Sequence, residues 1–367
     1  AESERLANVT EEQVSAIRKQ LATSVYRQAE LAVSSGRLGE AVGHFRRVDS
    51  VLPGSDVAIR ARYDAANTLL KASDWGAAVG DLQSFRADFP QHELTAGISE
   101  KLVHAWIQSD EPTRAASELL LAADNHANPW SLKLRAAELL NQAGNVAERN
   151  ALYRDYLATA PKAESGAEHE QLQTFRHRLV ETGDNPDAWR EVLVQSELDS
   201  TWHTADTLEW ASRSSLVLGA RAAAVFTSIR LSQPLEHSLA RKQKALESAR
   251  QRFLDAEALG GERVLSESLF RRAELYRGLA KDLMASTVPA DLNELEAMQY
   301  QMLLEEEAFP FEDKAIQLHT ENHRRITAEG YDPWIGRSLG VLAELHPGRY
   351  ERSVKWLGWN MEIRDGV

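Results

Sequence analysis

Cysteine is absent from the sequence. Its absence excludes disulfides, thiolate metal ligands and a cysteine nucleophile, but it does not identify the cellular compartment. The chain also lacks an apolar run of about 18 residues, the length that a membrane-spanning helix needs. Its first residues, AESERLANVTEEQ, have no apolar core and no initiating methionine. We therefore expect a mature or cut chain without a signal peptide.

Positive charge is scarce. The formal net charge is -13, and the densest basic run, RKQK at 241–244, lies in a helical segment that also carries Glu236, Glu247 and Asp255. This run is typical of a solvated helix face. An acidic chain repels phosphate backbones, so the composition disfavours nucleic-acid binding.

Sequence motifs for nucleotide binding and nucleophilic catalysis are also missing. Neither G-x-x-x-x-G-K-[ST] nor G-x-G-x-x-G occurs, and no G-x-S-x-G elbow is present. The hydrophobic content of 43% and the charged content of 26% are those of a folded protein. A length of 367 residues suits two or three domains or one elongated array.

Four segments in the first half align with one another. They are GRLGEAVGHFRRVDSVLP (36–53), SDWGAAVGDLQSFRADFP (73–90), DEPTRAASELLLAADNHA (110–127) and GNVAERNALYRDYLATAP (144–161). Their anchor positions are Ala41, Ala78, Ala115 and Arg149. Four residues after each anchor stands a large apolar residue: Phe45, Leu82, Leu119 and Tyr153. Twelve residues before each anchor stands a mostly small residue: Ala29, Ala66, Val103 and Ala137.

This pattern resembles the tetratricopeptide repeat (TPR), in which two helices meet through small residues and a proline closes the unit. The matching columns cover roughly residues 22–161. Arg149 departs from the pattern, so we expect looser packing in the fourth repeat. The box Thr10-Glu11-Glu12-Gln13 predicts the start of an earlier helix, which would belong to an incomplete preceding repeat.

The resemblance implies a concave groove lined by the first helix of each repeat. Its partner-binding positions map onto residues of mixed chemistry: Tyr26, Glu30, Arg60, Tyr63, Asn67, Glu100, His104, Glu138 and Asn141. Such a surface suits an extended or helical peptide. Plain solvent exposure is the competing interpretation for each position, because few interface residues carry binding energy.

Helical patterns continue beyond the repeats, and no segment alternates with period two. We predict an all-α fold: a TPR-like α-solenoid, a right-handed superhelix of helical hairpins, followed by a divergent helical C-terminal domain. The predicted divisions are residues 1–165 for the repeats, 166–232 for divergent TPR-like helices and 233–367 for the C-terminal domain with its end cap. Long helices are expected at about 235–259 and 263–286, separated by Gly260 and Gly261.

The region 226–350 resembles the C-terminal part of large Gram-negative TPR proteins. The resemblance rests on FTSIRLSQPLEHSLARKQKALESA, RRAELYRGLAKDLM and EAMQYQMLLEEEAFPFEDKAIQLHTENHRR. Those proteins are envelope components, some linked with energy-transducing systems of the ExbB–ExbD–TonB type. The resemblance implies a periplasmic or outer-membrane-associated scaffold, with a cytoplasmic location as the alternative.

The stretch EEEAFPFEDKAIQLHTENH (305–323) is the part of the sequence that most resembles a metal or catalytic site. His319 and His323 lie four residues apart, as two zinc ligands on a helix would, but the order H-E-x-x-H is absent. The competing interpretation is a hydrogen-bonded core histidine, His319, beside a boundary one. We expect Pro310 to break the helix, Glu305–Glu307 to be a solvated helix end, and the flanking phenylalanines to staple two helices together.

Two tryptophans near the end, Trp356 and Trp359, predict either an amphipathic end cap or a segment that docks a partner or a membrane interface. The sequence thus favours a non-enzymatic scaffold without cofactor or metal, binding protein or peptide partners. Two alternatives stay open. One is an enzyme with a metal or carboxylate site around Glu305–Glu307 and His319, and the other is a sensor that takes a small ligand between helices of its second domain.

Overall fold

A computed structural model describes residues 10–124, 126–326 and 332–350. All regular structure in these ranges is helical, which confirms the all-α class. By its internal contacts the chain divides into two compact units, Ala1–Ala160 and Pro161–Val367. The three-part division expected above stays a prediction. Within the described ranges, no helix combines the length and the apolarity needed to cross a membrane.

The first unit is a series of helical hairpins. Its helices are α1 (Glu11–Ser34), α2 (Leu38–Val51), α3 (Asp56–Lys71), α4 (Trp75–Asp88), α5 (Ile98–Gln108), α6 (Pro112–Ala123), α7 (Pro129–Gln142) and α8 (Val146–Thr159), with a 3-10 turn at Glu93–Gly97 before α5. We call α1, α3, α5 and α7 the A helices and their hairpin partners the B helices. The predicted box at Thr10 and Gln13 caps α1, with each residue's side chain accepting from the other's backbone amide. This helix carries Ala29 and is the A helix of the first repeat, so the expectation of an earlier helix in a preceding repeat is wrong.

Every turn from an A helix to its B helix contains one residue with positive φ. These residues are Gly36 (φ 72°), Ser73 (57°), Asp110 (58°) and Gly144 (71°). The residue after each donates its amide to a carbonyl five residues back, for example Arg37 to Ala32 at 2.9 Å. This is the Schellman arrangement, which ends a helix by turning one residue into the left-handed region.

The repeat columns occupy the core of the hairpins. Ala41, Ala78 and Ala115 are fully buried, as is each member of the facing column from Ala29 to Ala137. Small side chains at both positions allow the two helix backbones to approach, and the large apolar column fills the space beside them. The packing therefore confirms the repeat pattern that the sequence predicts.

The fourth anchor, Arg149, is buried, and it has side-chain hydrogen-bond partners on both helices of its hairpin. Its guanidinium donates to the side-chain oxygen of Asn150 at 2.8 Å and to that of Asn141 on α7 at 2.6 Å. It also lies over the ring of Tyr153 at 5.6 Å. A long polar side chain thus takes the place of alanine because amide oxygens satisfy its charge.

The second unit also consists of helices. They are α9 (Gly166–Thr182), α10 (Pro186–Leu198), α11 (Ala205–Ser228), α12 (Leu235–Gly260), α13 (Glu262–Met284), α14 (Glu294–Arg324), α15 (Pro333–Leu345) and the short α16 (Pro347–Tyr350). The expected separation of α12 from α13 at Gly260 and Gly261 is confirmed. Pro186 and Pro333 are the first residues of their helices, a position that suits proline because its missing N–H has no partner to lose in a first turn.

Helix α14 contradicts the predicted break at Pro310. The helix is continuous, and the proline lies inside it. Both Pro310 and Glu306, whose carbonyl loses its usual amide partner, are exposed, so water can satisfy that oxygen. The segment Asp291-Leu292-Asn293-Glu294 predicts a capping box that begins at Asp291, but the N-cap of this helix is Asn293, with Glu296 completing the box.

Two further expectations for this stretch are wrong. Glu305, Glu306 and Glu307 are exposed as expected, but they lie in the middle of α14 and not at a helix end. Phe309 is 67% exposed, whereas Phe311 packs partly buried against the cluster that contains Phe253. Only one phenylalanine therefore contributes to the core. The predicted cap residues Trp356 and Trp359 lie outside the described residues.

Candidate functional site

The A helices of the first unit bury alanines on one face and carry polar and aromatic residues on another. Ala22, Ala29 and Ala32 of α1 are buried, and Tyr26 and Val33 are partly buried beside them. The residues predicted to bind a partner lie on this second face. We refer to it as the A-helix face.

Neighbouring A helices are joined across this face at one repeating register. The hydroxyl of Tyr26 on α1 donates to Asp64 on α3. The ammonium of Lys101 on α5 lies 5.4 Å from the ring centre of Tyr63 on α3. Arg135 on α7 pairs with Glu100 on α5 at 3.1 Å.

Sequence reasoning missed the second partner in each of these pairs. A detectable signal existed, because the residues that follow Tyr26, Tyr63 and Glu100, and the equivalent residue of the fourth repeat, are all charged: Arg27, Asp64, Lys101 and Arg135. A charged column at the repeat period predicts contacts between successive units. The predicted groove residues Tyr26, Tyr63 and Glu100 are therefore also structural links between helices.

A cavity of about 280 Å³ lies on this face at the first pair of A helices. The lining residues are Tyr26, Glu30, Val33, Ser34, Phe45, Asp64, Asn67, Thr68 and Lys71. Three predicted residues, Tyr26, Glu30 and Asn67, thus meet in one place. The cavity offers an aromatic floor at Phe45, carboxylates, an amide and an ammonium, which is the mixture that fixes a peptide by its backbone and side chains.

Tyr26 stays protonated in this cavity. Burial, the hydrogen bond to Asp64 and the negative charges of Asp64 and Glu30 all raise the pKa of its phenol above the ordinary value. Its ring contacts Phe45 edge-on at 5.3 Å. The hydroxyl therefore acts as a fixed donor that holds the Asp64 carboxylate toward the cavity.

The other predicted residues are distributed along the face. Arg60, His104 and Glu138 are exposed, and the His104 ring meets Trp75 of α4 edge-on at 5.6 Å. Asn141 accepts a hydrogen bond from Arg149, so its side-chain oxygen is held by its own hairpin. The structure brings Tyr26, Glu30 and Asn67 together in this cavity, and the remaining predicted residues are not among those that line it.

His319 has the place that the core interpretation assigned to it. It is fully buried, with Nδ1 3.2 Å from the Ser338 hydroxyl and Nε2 3.2 Å from Glu274 Oε1. Burial opposes ionisation of Glu274, but the hydrogen bond from His319 and the nearby charge of Arg277 outweigh it and lower the pKa of that carboxyl. In the described ranges, no group of three or more histidine, aspartate or glutamate side chains could hold a metal ion.

Sequence reasoning missed a second buried polar cluster, which surrounds Glu197 at the end of α10. Its carboxylate accepts four hydrogen bonds, from His169 Nε2 (2.7 Å), Gln173 Nε2 (2.6 Å), His203 Nδ1 (2.8 Å) and Thr207 Oγ1 (2.8 Å). Burial alone would raise the pKa of Glu197, yet these four donors together lower it. The cluster joins α9, α10 and the start of α11.

The second unit also contains a cavity of about 380 Å³ between α11 and the turn from α12 to α13. A cavity between helices of the second unit is what the ligand-sensor alternative requires. Its charged groups pair with one another, since Glu209 meets Arg213 at 2.9 Å and Arg263 at 4.0 Å. Few unpaired polar groups therefore remain to recognise a small molecule.

No protein-family model matches the chain, and no curated protein matches it. Solved structures similar to it include a tetratricopeptide repeat protein from Parabacteroides merdae ATCC 43184, with 12% identity over 78% of this chain and 99% of that one, at a TM-score of 0.30. The TPR domain of P58(IPK) is also similar, with 16% identity over 93% of this chain and 84% of that one, at a TM-score of 0.23. A circular tandem repeat protein with a novel repeat topology has 14% identity over 92% of this chain and 87% of that one, at a TM-score of 0.22. With scores this low, the fold assignment depends on the chain's own helices and columns.

Proposed function

We propose that the protein is a non-enzymatic scaffold that binds protein or peptide partners on its A-helix face. The observation that carries this proposal is the cavity at Tyr26, Glu30 and Asn67, where mixed polar groups surround an aromatic floor. The face continues along successive A helices, so an extended or helical segment could contact several repeats at once.

We further propose that this scaffold acts in a bacterial cell-envelope complex, in the periplasm or at the outer membrane. The support is the resemblance of residues 226–350 to envelope TPR proteins, some of which belong to energy-transducing systems of the ExbB–ExbD–TonB type. A system of that type is the particular complex that we propose.

Site-specific photo-crosslinking tests both proposals. A benzophenone amino acid replaces Glu30 or Asn67 in the cavity, and in control proteins it replaces the exposed Arg47 or Gln83 of the B helices. In cells of the native organism, we expect the cavity positions to capture envelope proteins and the controls to capture none of them. Equal capture at all positions would refute the A-helix face, and capture of cytosolic enzymes alone would refute the envelope.

A further inference from the structure

The N-terminal half of α14 has an apolar stripe on its outer side. Leu295, Met298, Met302 and Phe309 are 66%, 62%, 64% and 67% exposed. Their spacings of three, four and seven residues place them in one line along a helix. We call these four residues the α14 stripe.

This stripe is separate from the face that α14 buries. Leu304, Ala308, Ala315 and Leu318 point into the second unit and are at most 5% exposed. A surface helix of a globular protein usually has one apolar face, with polar residues opposite. Single exposed apolar residues are common, but a line of four indicates a surface that contacts something else.

The dimensions of the stripe suit a helix as its partner. Leu295 and Phe309 are separated by fourteen residues, which correspond to about 21 Å along a helix. Two methionines occupy its middle, and their flexible thioether side chains adapt to varied apolar surfaces. A helix that lies along this line would contact it at its own i, i+3 or i+4 and i+7 positions.

Charge determines which kind of helix can bind. Between residues 294 and 313 the chain has seven acidic residues and no lysine or arginine. These residues are Glu294, Glu296, Glu305, Glu306, Glu307, Glu312 and Asp313. Within the described residues, no lysine or arginine forms an ion pair with Glu305, Glu306, Glu307 or Glu312.

This charge argues against two other occupants. A second copy of the chain would place one set of carboxylates against another, and like charges in an interface are repulsive. An anionic membrane surface would be repelled for the same reason. A helix with an apolar face bordered by lysine and arginine matches both the stripe and its flanks.

We propose that the α14 stripe binds a basic amphipathic helix of another protein. This site lies in the second unit and shares no residue with the A-helix face, so the two proposals stand or fall separately. Binding would neutralise the flanking glutamates and bury the stripe.

A synthetic amphipathic peptide of roughly 15 residues, built from leucine and lysine, tests the proposal on the full chain, because a helix of this length covers the stripe. We expect micromolar binding that weakens as salt is added. Replacing both methionines, Met298→Gln with Met302→Gln, should weaken binding by about tenfold or more. Both side chains are exposed, so the melting temperature should stay unchanged.

Controls separate the stripe from general attraction to an acidic protein. The double variant Leu121→Gln with Val225→Gln removes apolar groups that are 62% and 58% exposed on other helices, and it should keep the parent affinity. Glu305→Gln with Glu306→Gln should reduce both the affinity and its salt dependence. A peptide of leucine and glutamate should not bind.

Several outcomes would overturn the proposal. They include a basic peptide that does not bind, binding that the methionine variants leave unchanged, and equal binding of the acidic peptide. Sedimentation that reveals a dimer dissolved by the methionine variants would assign the stripe to a second copy. Binding to phosphatidylglycerol vesicles that is lost in the same variants would assign it to a membrane surface.

Discussion

Lys242 on α12 shows how one residue links three helices of the second unit, because its partners lie at the end of α11 and on α13. It is fully buried, and its ammonium donates to the carbonyls of Phe226 (3.1 Å) and Ile229 (2.6 Å) and pairs with Asp282 at 2.6 Å. The two carbonyls belong to the C-terminal end of α11, where a positive charge is favourable. The RKQK run, expected to be a solvated face, therefore includes one core residue.

Replacing this lysine by an apolar side chain of similar length should destabilise the second unit. In Lys242→Met, the Phe226 and Ile229 carbonyls each lose the ammonium as a donor and Asp282 loses its partner, which we expect to cost about 3 kcal/mol. Urea unfolding followed by circular dichroism measures the change. The control Lys244→Met alters an exposed lysine two residues away and should be nearly neutral. Equal effects of the two variants would contradict a capping role.

Glu197 makes the stability of the second unit depend on pH. Its folded pKa lies below the ordinary value of 4.5, so the ionised form is favoured in the folded state. The contribution is complete above the unfolded pKa and is lost as pH falls through the folded pKa.

We therefore expect the free energy of unfolding to fall as the pH drops below the ordinary glutamate pKa of 4.5, and Glu197→Gln to flatten this dependence. The amide cannot accept all four hydrogen bonds, so the variant should also be about 3 kcal/mol less stable at neutral pH. Urea midpoints across the pH range measure both effects. Glu236→Gln, at an exposed carboxylate, is the matched control. An unchanged pH profile in Glu197→Gln would count against the network.

At the level of elements, the repeat columns predicted the hairpins correctly, but Pro310 led to the wrong prediction of a helix break. Small residues at fixed spacing specify where two helices touch, so Ala41 and Ala78 could be located from the sequence. Pro310 looked like a break because proline removes a helix hydrogen bond. Its tolerance depends on exposure of the Glu306 carbonyl, which the local sequence does not encode.

The four hairpin turns offer a prediction about elements. Ser73 has a φ of 57° where the equivalent residues Gly36 and Gly144 are glycines. A side chain is strained in this region, so Ser73→Gly should stabilise the first unit by about 0.5–1 kcal/mol. Thermal unfolding followed by circular dichroism measures the gain.

The reciprocal change is its control. Gly144→Ser places a side chain at the same turn position (φ 71°), where an added Cβ would meet no atom within 4 Å, so only backbone strain is tested. This variant should lose about 1 kcal/mol. If both variants moved stability in the same direction, the turn conformation would not be the cause.

For the whole molecule, the sequence predicted more of the fold than of the candidate sites. Columns of small and of large apolar residues recur in the chain, so the hairpins and the A-helix face could be inferred. The Glu197 cluster could not, because His169 and Thr207 are remote in sequence and meet only through packing. The α14 stripe could not be predicted for a similar reason. Leu304 and Met302 are both apolar, and only the packing shows that the first is buried and the second exposed.

The buried clusters predict where the chain can be divided. Those that contain Phe45, Phe85 and Leu119 draw their members from residues 22–152, and those that contain Leu193, Phe253 and Leu318 draw theirs from residues 180–318. A cut after residue 160 leaves each of these clusters whole. We therefore expect fragments 1–160 and 161–367 each to be helical and to unfold cooperatively by circular dichroism and urea titration.

A cut at the predicted boundary between residues 232 and 233 is the matched comparison. It would separate Phe226 from Lys242 and Leu246, which belong to one core in the intact chain. Fragment 233–367 should then expose apolar surface and bind a hydrophobic dye, whereas fragment 161–367 should not. Cooperative unfolding of 233–367 without dye binding would instead support the three-part division, because the C-terminal helices would then hold a core of their own.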